Sequence, residues 1–281
     1  MSGNPCEDTV VGTIHYFVPP EDGSVAYQSS EIDPETGDRK RNFSRQGRPC
    51  NIENVRGKLE QFTLDAAGFQ FFNRPAAHSK FEDDKDIVDD YYPESVEFIK
   101  EVTGAVKVVI FDHTIRRRRP GIIDDGPTKR QPVMHVHVDQ TAAAAVARVR
   151  RHLPTDEANR LLQGRFQILN LWRPVKYTAD DYPLALCDFR SVDPKEDPSL
   201  MKVIYPNFQG ETLGVKYNAD HKWKYLRTMT TDEVVLFKCY DSSSKKGVAT
   251  FAPHSAFIDP TTPPDALLRE SIELRALVFY K

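Results

Sequence analysis

Hydrophobic and polar positions divide the chain into an N-terminal strand, a polar stretch, a middle that alternates strand and helix, and a β-rich second half. Thr9 to Val18 has the composition of a strand, and the run EIDPETGDRKRNFSRQGRP after it reads as loop from its turn residues. NVRGKLEQFTLDAAGFQFFNRPAAHSKF predicts short strands and then a loop around Asn73-Arg74-Pro75. From Asp83 to Val102, Tyr91, Tyr92, Val96 and Ile99 are spaced for one apolar helical face, with Gly104 as the stop. AVKVVIFDHTIR is dense in β-branched residues and predicts a buried strand. The loop RRRRPGIIDDGPTKRQP follows, and its basic run Arg116 to Arg119 reads as a solvated strand end rather than a grip for phosphate or carboxylate. VMHVHVD predicts a strand, QTAAAAVARVRRHL a helix, and DEANRLLQG a further helical piece closed by Gly164. FQILNLWRPV, YPLALCDFRSV, ETLGVKYN, KWKYLRTM, EVVLFKCYDS and SIELRALVFYK then read as strands separated by turns, the pattern of a sandwich or barrel. The plan is α+β: a β-rich core with helices packed on one side.

Charge and composition narrow the function classes. A formal net charge of −3 provides no global attraction to nucleic acid or an anionic membrane. No apolar run approaches the ~20 residues of a membrane span, and the first residues lack the pattern of a secretory signal. Cys6, Cys50, Cys187 and Cys239 are scattered without C-x-x-C spacing, which argues against a zinc ribbon and for free thiols in a reducing compartment, the cytoplasm. The expected partner is a small-molecule substrate, with no nucleic acid and no membrane; homodimer formation stays open.

The chemistry concentrates in Met134-His135-Val136-His137-Val138-Asp139. Side chains alternate faces along a strand, so His137 and Asp139 project from one side about 7 Å apart. Two histidines and one carboxylate on one face of a metal, with the other positions open, is the arrangement of non-haem iron(II) oxygenases. A third ligand must come from a distant strand, and His221 and His254 are the candidates. Fifteen positions after His254 stands Arg269-Glu270-Ser271, in which Arg269 and Ser271 share a face. A guanidinium beside a hydroxyl clamps a carboxylate, as needed for the far end of a dicarboxylate that chelates iron through its keto acid. His221 has no such partner, so His254 is chosen. His135 lies on the same face as His137 but stands four residues from Asp139, too far for neighbouring coordination.

Phe111-Asp112-His113-Thr114, His137 to Thr141, Asn170-Leu171-Trp172-Arg173-Pro174, Asp188 to Ser191, Tyr240-Asp241-Ser242, Pro253 to Phe257 and Arg269 to Arg275 together carry a family likeness. In these the chain resembles the AsaB-type fungal hydroxylase/desaturase family, which includes gibberellin desaturase-like proteins and relatives of a cephamycin methoxylation component. The resemblance implies a double-stranded β-helix (jelly-roll, cupin-like) core, iron(II), 2-oxoglutarate as cosubstrate, and O2. It also implies hydroxylation, desaturation or oxidative cyclisation of a small biosynthetic intermediate in secondary metabolism. An older methyltransferase label in the family is set aside, because no Gly-rich strand-to-helix turn is present to cradle S-adenosylmethionine.

On this reading residues 1–281 form one oxygenase domain, with 1–70 as N-terminal strands and loop extension and 105–281 as the metal-binding core. His137, Asp139 and His254 are the metal and catalytic residues, and Arg269 and Ser271 bind the cosubstrate. Arg275, on the same face, is a rival clamp, and Arg173 could hold a carboxylate of cosubstrate or substrate. Asn73, Arg74 and His78 sit in a loop expected over the pocket mouth, as substrate-reading candidates. His113 is a fourth, with a structural hydrogen bond as its rival role. Trp172, Trp223 and Tyr225 are expected in the core. Two other function classes remain at this point. One is a redox-neutral zinc or manganese enzyme on the same barrel, using His135 or His221 as a fourth ligand; the other is a binding module without chemistry.

Overall fold

The computed structural model describes residues 8–281; residues 1–7, Cys6 among them, lie outside. Fifteen strands stand in two sheets among the described residues. The larger sheet runs in the order β1 (Thr9–Val18), β4 (Ser44–Asn54), β12 (Trp223–Tyr225), β9 (Leu184–Cys187), β14 (His254–Ala256) and β7 (His137–Val138). It continues through β11 (Gln209–Val215), β10 (Pro198–Ile204), β2 (Ala26–Ile32) and β3 (Arg39–Arg41). The smaller has β5 (Phe69–Asn73), β13 (Glu233–Asp241), β8 (Phe166–Pro174), β15 (Glu270–Phe279) and β6 (Lys107–Arg117). Together they make the jelly-roll core.

The smaller sheet is covered on both faces, which is why its strands read as near-continuous apolar runs. Ile272, Leu274, Ala276 and Val278 of β15 pack outward with Phe98 and Ile99 of helix α3 (Tyr92–Thr103), which follows the short helices α1 (Leu64–Ala67) and α2 (Asp84–Asp86). Leu277 and Phe279 point inward, to a core shared with Phe166, Trp172 and Phe237. By the same alternation Ser271, Glu273 and Arg275 line the inner face. Facing them on β6, Arg116 pairs with Ser271, Thr114 with Glu273 and Asp112 with Arg275, before a bulge at Phe111 shifts the register. Helices α4 (Ala142–His152) and α5 (Thr155–Leu161) contribute Ala145, Val149, Ala158 and Leu161 to the inner core. Thr141 caps α4 by accepting a hydrogen bond from the Ala144 amide. Trp172, Trp223 and Tyr225 are buried.

Several elements depart from the sequence expectation: β2, β10 and β14 lie outside the stretches that the hydrophobic pattern predicts as strands, Leu64–Ala67 is helical where short strands are predicted, and three further stretches differ. The polar stretch read as loop contains β3 and most of β4, which pairs with β1 from Thr9↔Glu53 to Val18↔Ser44. Backbone pairing with a neighbour, rather than an apolar face, holds β4, and nothing in its side chains announces it. VMHVHVD yields only the two-residue strand β7, while His135 bridges singly to His15. The predicted helix from Asp83 is a helical turn at Asp84–Asp86, a π-helical turn at Ile87–Tyr91 and then α3, which ends at Gly104 with φ 69°.

Lys238 is fully buried, and its Nζ donates to Asp65 Oδ1 at 2.7 Å, Asp241 Oδ2 at 2.7 Å and the Ala249 carbonyl at 2.9 Å. Arg165 and Gln167 also donate to Asp241. Lys238→Met strips a cation from a buried carboxylate, so stability to urea should fall by roughly 3–5 kcal/mol; an unchanged denaturation midpoint would show that the pair contributes nothing. Burial pushes the Asp241 carboxyl up, but the bonds from Arg165 and Lys238 outweigh it and hold it below its usual range. Its contribution is therefore present above the unfolded value of about 3.9 and is lost as pH falls through the lower folded value.

Candidate metal centre

Two separated segments meet at one point because β14 pairs antiparallel with β7, with His254 directly opposite His137. Side chains in such a pair stand on one face at close range, and the two rings lie 4.3 Å apart between centroids. Asp139, two residues beyond His137, brings its Oδ1 to 3.4 Å from His137 Nε2 and 4.0 Å from His254 Nε2. One ligand atom from each of the three lies within 4.8 Å of the other two.

Hydrogen bonds on the far side of each ring decide what faces the centre. His137 Nδ1 lies 2.9 Å from the His135 carbonyl and His254 Nδ1 3.0 Å from the Ala252 carbonyl. A carbonyl only accepts, so each Nδ1 carries a proton and each Nε2 is the atom turned inward, with a lone pair to give in the neutral ring. Burial and His137 push His254 down to about 3, against a smaller upward pull from Asp139, so its ring is neutral. Burial would raise Asp139, but its contact with His137 and the charge of Arg275 outweigh it and hold the carboxyl well below the usual range. Two imidazole nitrogens and an anionic oxygen thus converge, a donor set that a divalent transition metal fits.

The second oxygen of Asp139 is held from the facing sheet. Asn170 Nδ2 donates to Oδ2 at 2.9 Å, Arg275 Nε at 3.4 Å and Cys239 Sγ at 3.7 Å. Asn170 and Arg275 are cross-strand partners on β8 and β15, so one register places both. Arg275 also pairs with Asp112 at 3.1 Å and with Glu273, and these carboxylates raise it despite burial. It tethers Asp139 in this arrangement. Sequence reasoning missed Asn170 and Cys239; an asparagine inside an apolar strand was the available signal, since burying it without a partner is costly.

Arg269 and Ser271 lie on the same inner row. The Arg269 guanidinium is buried, donates to the Tyr182 carbonyl and lies 5.5 Å from the Trp172 ring centre. No carboxylate among the described residues forms an ion pair with it, and Arg269 Nε, Ser271 Oγ and Asn170 Oδ1 are buried without a hydrogen-bond partner. Burial and the nearby Arg116 bring the guanidinium down to about 9. Buried donors left unpaired are unfavourable, and a carboxylate would satisfy both Arg269 and Ser271.

A cavity of about 640 Å³ opens beside the triad, walled by Thr114 and Arg116 of β6, one face of α4 and the β10–β11 hairpin, with His137, Asp139 and Arg275 in its lining. Arg116 is a correction to the sequence reading: it faces this cavity and donates to the Gln131 carbonyl. Arg117 pairs with Glu270 at 2.7 Å and Arg118 with Asp181 at 2.6 Å, so the basic run is partnered, not solvated.

Five further candidates lie away from the cavity beside the triad. Arg173 pairs in register with Ile272, an outward position, and with Arg74 lines a separate cavity of about 300 Å³ beside α3. It therefore cannot hold a cosubstrate at the triad. His113 pairs with outward Leu274 and bonds to Tyr92 Oη at 2.8 Å and Asp84 Oδ1 at 3.2 Å. His78 packs on Phe81 and Tyr91, Arg74 pairs with Glu101 at 3.2 Å, and Asn73 ends β5 in an exposed position. None of the four lines the cavity beside the triad; for His113 the reason is that the alternation that turns Asp112, Thr114 and Arg116 inward turns it out. His221 is also elsewhere, 2.9 Å from Asp197 and 3.2 Å from Tyr16 Oη. His135 lines the cavity 5.3 Å from the His137 ring but directs Nε2 to Arg45 at 3.3 Å.

A jelly roll that gathers two imidazoles and a carboxylate beside an open cavity defines the class of non-haem metal oxygenases. Comparison with known proteins makes the class specific. Residues 14–279 match the family described as the oxidoreductase/YMDC permease-like domain, and the chain belongs to that family. No helix among the described residues is long and apolar enough to cross a membrane. The hydroxylase/desaturase efuI of Hormonema carpetanum is 36% identical over 97% of this chain and 96% of its own length. The Fe(II)/2-oxoglutarate-dependent dioxygenase nvfI of Aspergillus novofumigatus is 32% identical over 94% of each. A solved structure of the iron and alpha-ketoglutarate-dependent endoperoxidase NvfI superposes with a TM-score of 0.84 at 29% identity, covering 98% of this chain and 99% of that one. These names leave the redox-neutral zinc or manganese reading without support.

Proposed function

We propose that the chain is an iron(II)/2-oxoglutarate-dependent dioxygenase that hydroxylates, desaturates or oxidatively cyclises a small-molecule intermediate of fungal secondary metabolism. The observation that carries this reading is the convergence of His137 Nε2, His254 Nε2 and Asp139 Oδ1, each aimed by a hydrogen bond behind it. These three residues hold the metal; Arg269 and Ser271 take the far carboxylate of 2-oxoglutarate. Bound iron supplies the activation of O2 at the expense of the keto acid. The protein's own residues do the rest. The His135 and Ala252 carbonyls keep the ligand protons on Nδ1, Asn170 and Arg275 fix the carboxylate, and the cavity presents the substrate to the open side of the metal. Within the family, the motifs from Phe111-Asp112-His113-Thr114 to Arg269-Glu270-Ser271 favour the AsaB-type branch, with its gibberellin desaturase-like and cephamycin methoxylation component-like members. We read residues 1–281 as one catalytic unit in the cytoplasm, acting without nucleic acid or membrane.

Anaerobic addition of iron(II) and then 2-oxoglutarate should produce a weak metal-to-ligand charge-transfer band near ~500 nm, the signature of a keto acid chelated to this ligand set. Zinc in place of iron should give none. Iron-loaded, active protein without the band would overturn the cosubstrate assignment.

A further inference from the structure

We propose that the substrate is a flat, largely apolar molecule bearing a carboxylate, and that Arg148 receives that carboxylate. The proposal rests on the dioxygenase reading above and adds the substrate class. Helix α4 presents Ala144, Ala147, Arg148 and Arg151 to the cavity, while Ala145 and Val149 turn into the core. Arg148 is half-buried with its guanidinium 5.5 Å from the Phe111 ring centre.

The other arginines that line the cavity are partnered: Arg130 pairs with Asp124, Arg275 pairs with Asp112, and Arg116 donates to the Gln131 carbonyl. Neither Arg148 nor Arg151 forms an ion pair with a carboxylate among the described residues. They stand three residues apart on one helix face, where like charges repel. Burial, Arg151 and Arg275 all disfavour the charge on Arg148, and Asp112 offsets this only in part. A ligand carboxylate in the cavity would relieve that conflict, and a guanidinium is the group best shaped to receive one.

The cosubstrate's far carboxylate has its own candidate partners in Arg269 and Ser271, which are not in the cavity lining. Of the arginines lining the cavity, only Arg148 and Arg151 have no side-chain hydrogen bond or ion pair among the described residues, and Arg148 is the more buried of the two, so it is assigned to the substrate. The β10–β11 hairpin supplies the other half of the site. Tyr205 and Phe208 stack face to face, with centroids 4.3 Å apart and planes 9° apart, and remain 38% and 51% exposed. An exposed stacked pair on a cavity wall is a platform for a flat apolar body. Met201 and Val203 extend that wall.

Fluorescence anisotropy of pyrene-1-carboxylate and of the neutral pyrene-1-methanol, on anaerobic protein loaded with iron(II) and 2-oxoglutarate, tests this. The carboxylate should bind about tenfold more tightly than the alcohol, as one charge-assisted contact predicts. Arg148→Gln should abolish that preference without changing alcohol binding, Arg148→Lys should keep most of it, and circular dichroism should show both variants folded. The ~500 nm band should be the same in Arg148→Gln as in the parent. Equal binding of the two probes by the parent, no binding of the carboxylate, or a preference that survives Arg148→Gln would each overturn the proposal. Loss of the band in Arg148→Gln would do so too, by assigning Arg148 to the cosubstrate. Absence of the band in the parent itself would instead fault the dioxygenase reading, and probe discrimination is read independently of it.

Discussion

Asp139→Ala should give a folded protein that no longer retains iron and makes no succinate from 2-oxoglutarate. Asp139 is the hinge of the centre. Its Oδ1 faces both imidazoles at 3.4 and 4.0 Å, while its Oδ2 is bound by Asn170 at 2.9 Å. Removing it leaves two neutral nitrogens to hold a dication, with Arg275 close by to repel it. Arg275 keeps Glu273 and Asp112 as partners, so the fold does not inherit an unpaired buried charge. Asn170→Ala, which frees the carboxylate to swing but spares it as a ligand, should cost roughly 10–100-fold in iron affinity or turnover, as loss of a group that orients a metal ligand does. Metal content after anaerobic loading and desalting, beside succinate yield, reads both. Asp139→Ala with parental iron content and turnover would remove the centre from this part of the molecule.

The second large effect belongs to Arg269. Arg269→Leu should leave iron content unchanged and raise the KM for 2-oxoglutarate. Deleting one side of a buried, hydrogen-bonded charge pair costs roughly 2–5 kcal/mol, or about 30-fold to several thousand-fold in affinity. The basis is a buried guanidinium with no carboxylate partner among the described residues and an unsatisfied Nε, beside an equally unsatisfied Ser271 hydroxyl. Arg275→Leu should act differently, lowering iron retention through the freed Asp139. Arg173→Leu, on the far face of the sheet, should leave both readings alone. Should Arg275→Leu raise that KM while Arg269→Leu does not, the clamp is Arg275.

How much of this was legible depended on the covering of each strand. His137 and Asp139 could be paired from the sequence because period two is local and holds wherever a strand forms. The order of elements from β8 onward was readable for the same reason, apart from β10 and β14, while α4 announced itself by alanine content and spacing and α5 by its closing Gly164. On β6 and β8 the same rule failed to say which side faces the site. On β8 both faces are buried and on β6 both are mostly half-buried, so polar residues such as His113 and Arg173 looked equally eligible for the cavity. Arg74 and Asn73 were placed over the mouth by their position in a loop, which carries no information about the face of the sheet that the loop closes.

The amino-acid sequence on its own determined the donor types, their alternation on β7 and β15, and a family likeness specific enough to imply iron and a keto acid. Tertiary structure decided what depends on register between strands far apart in the chain. It set His254 opposite His137, brought Asn170 and Arg275 together onto one oxygen of Asp139, and turned Arg116 inward and Arg173 outward. The physical reason is that alternation fixes only which side chains share a face. Which face meets the metal is settled by the packing of one sheet against the other and of α3 on the opposite side, and that packing is a property of the whole chain.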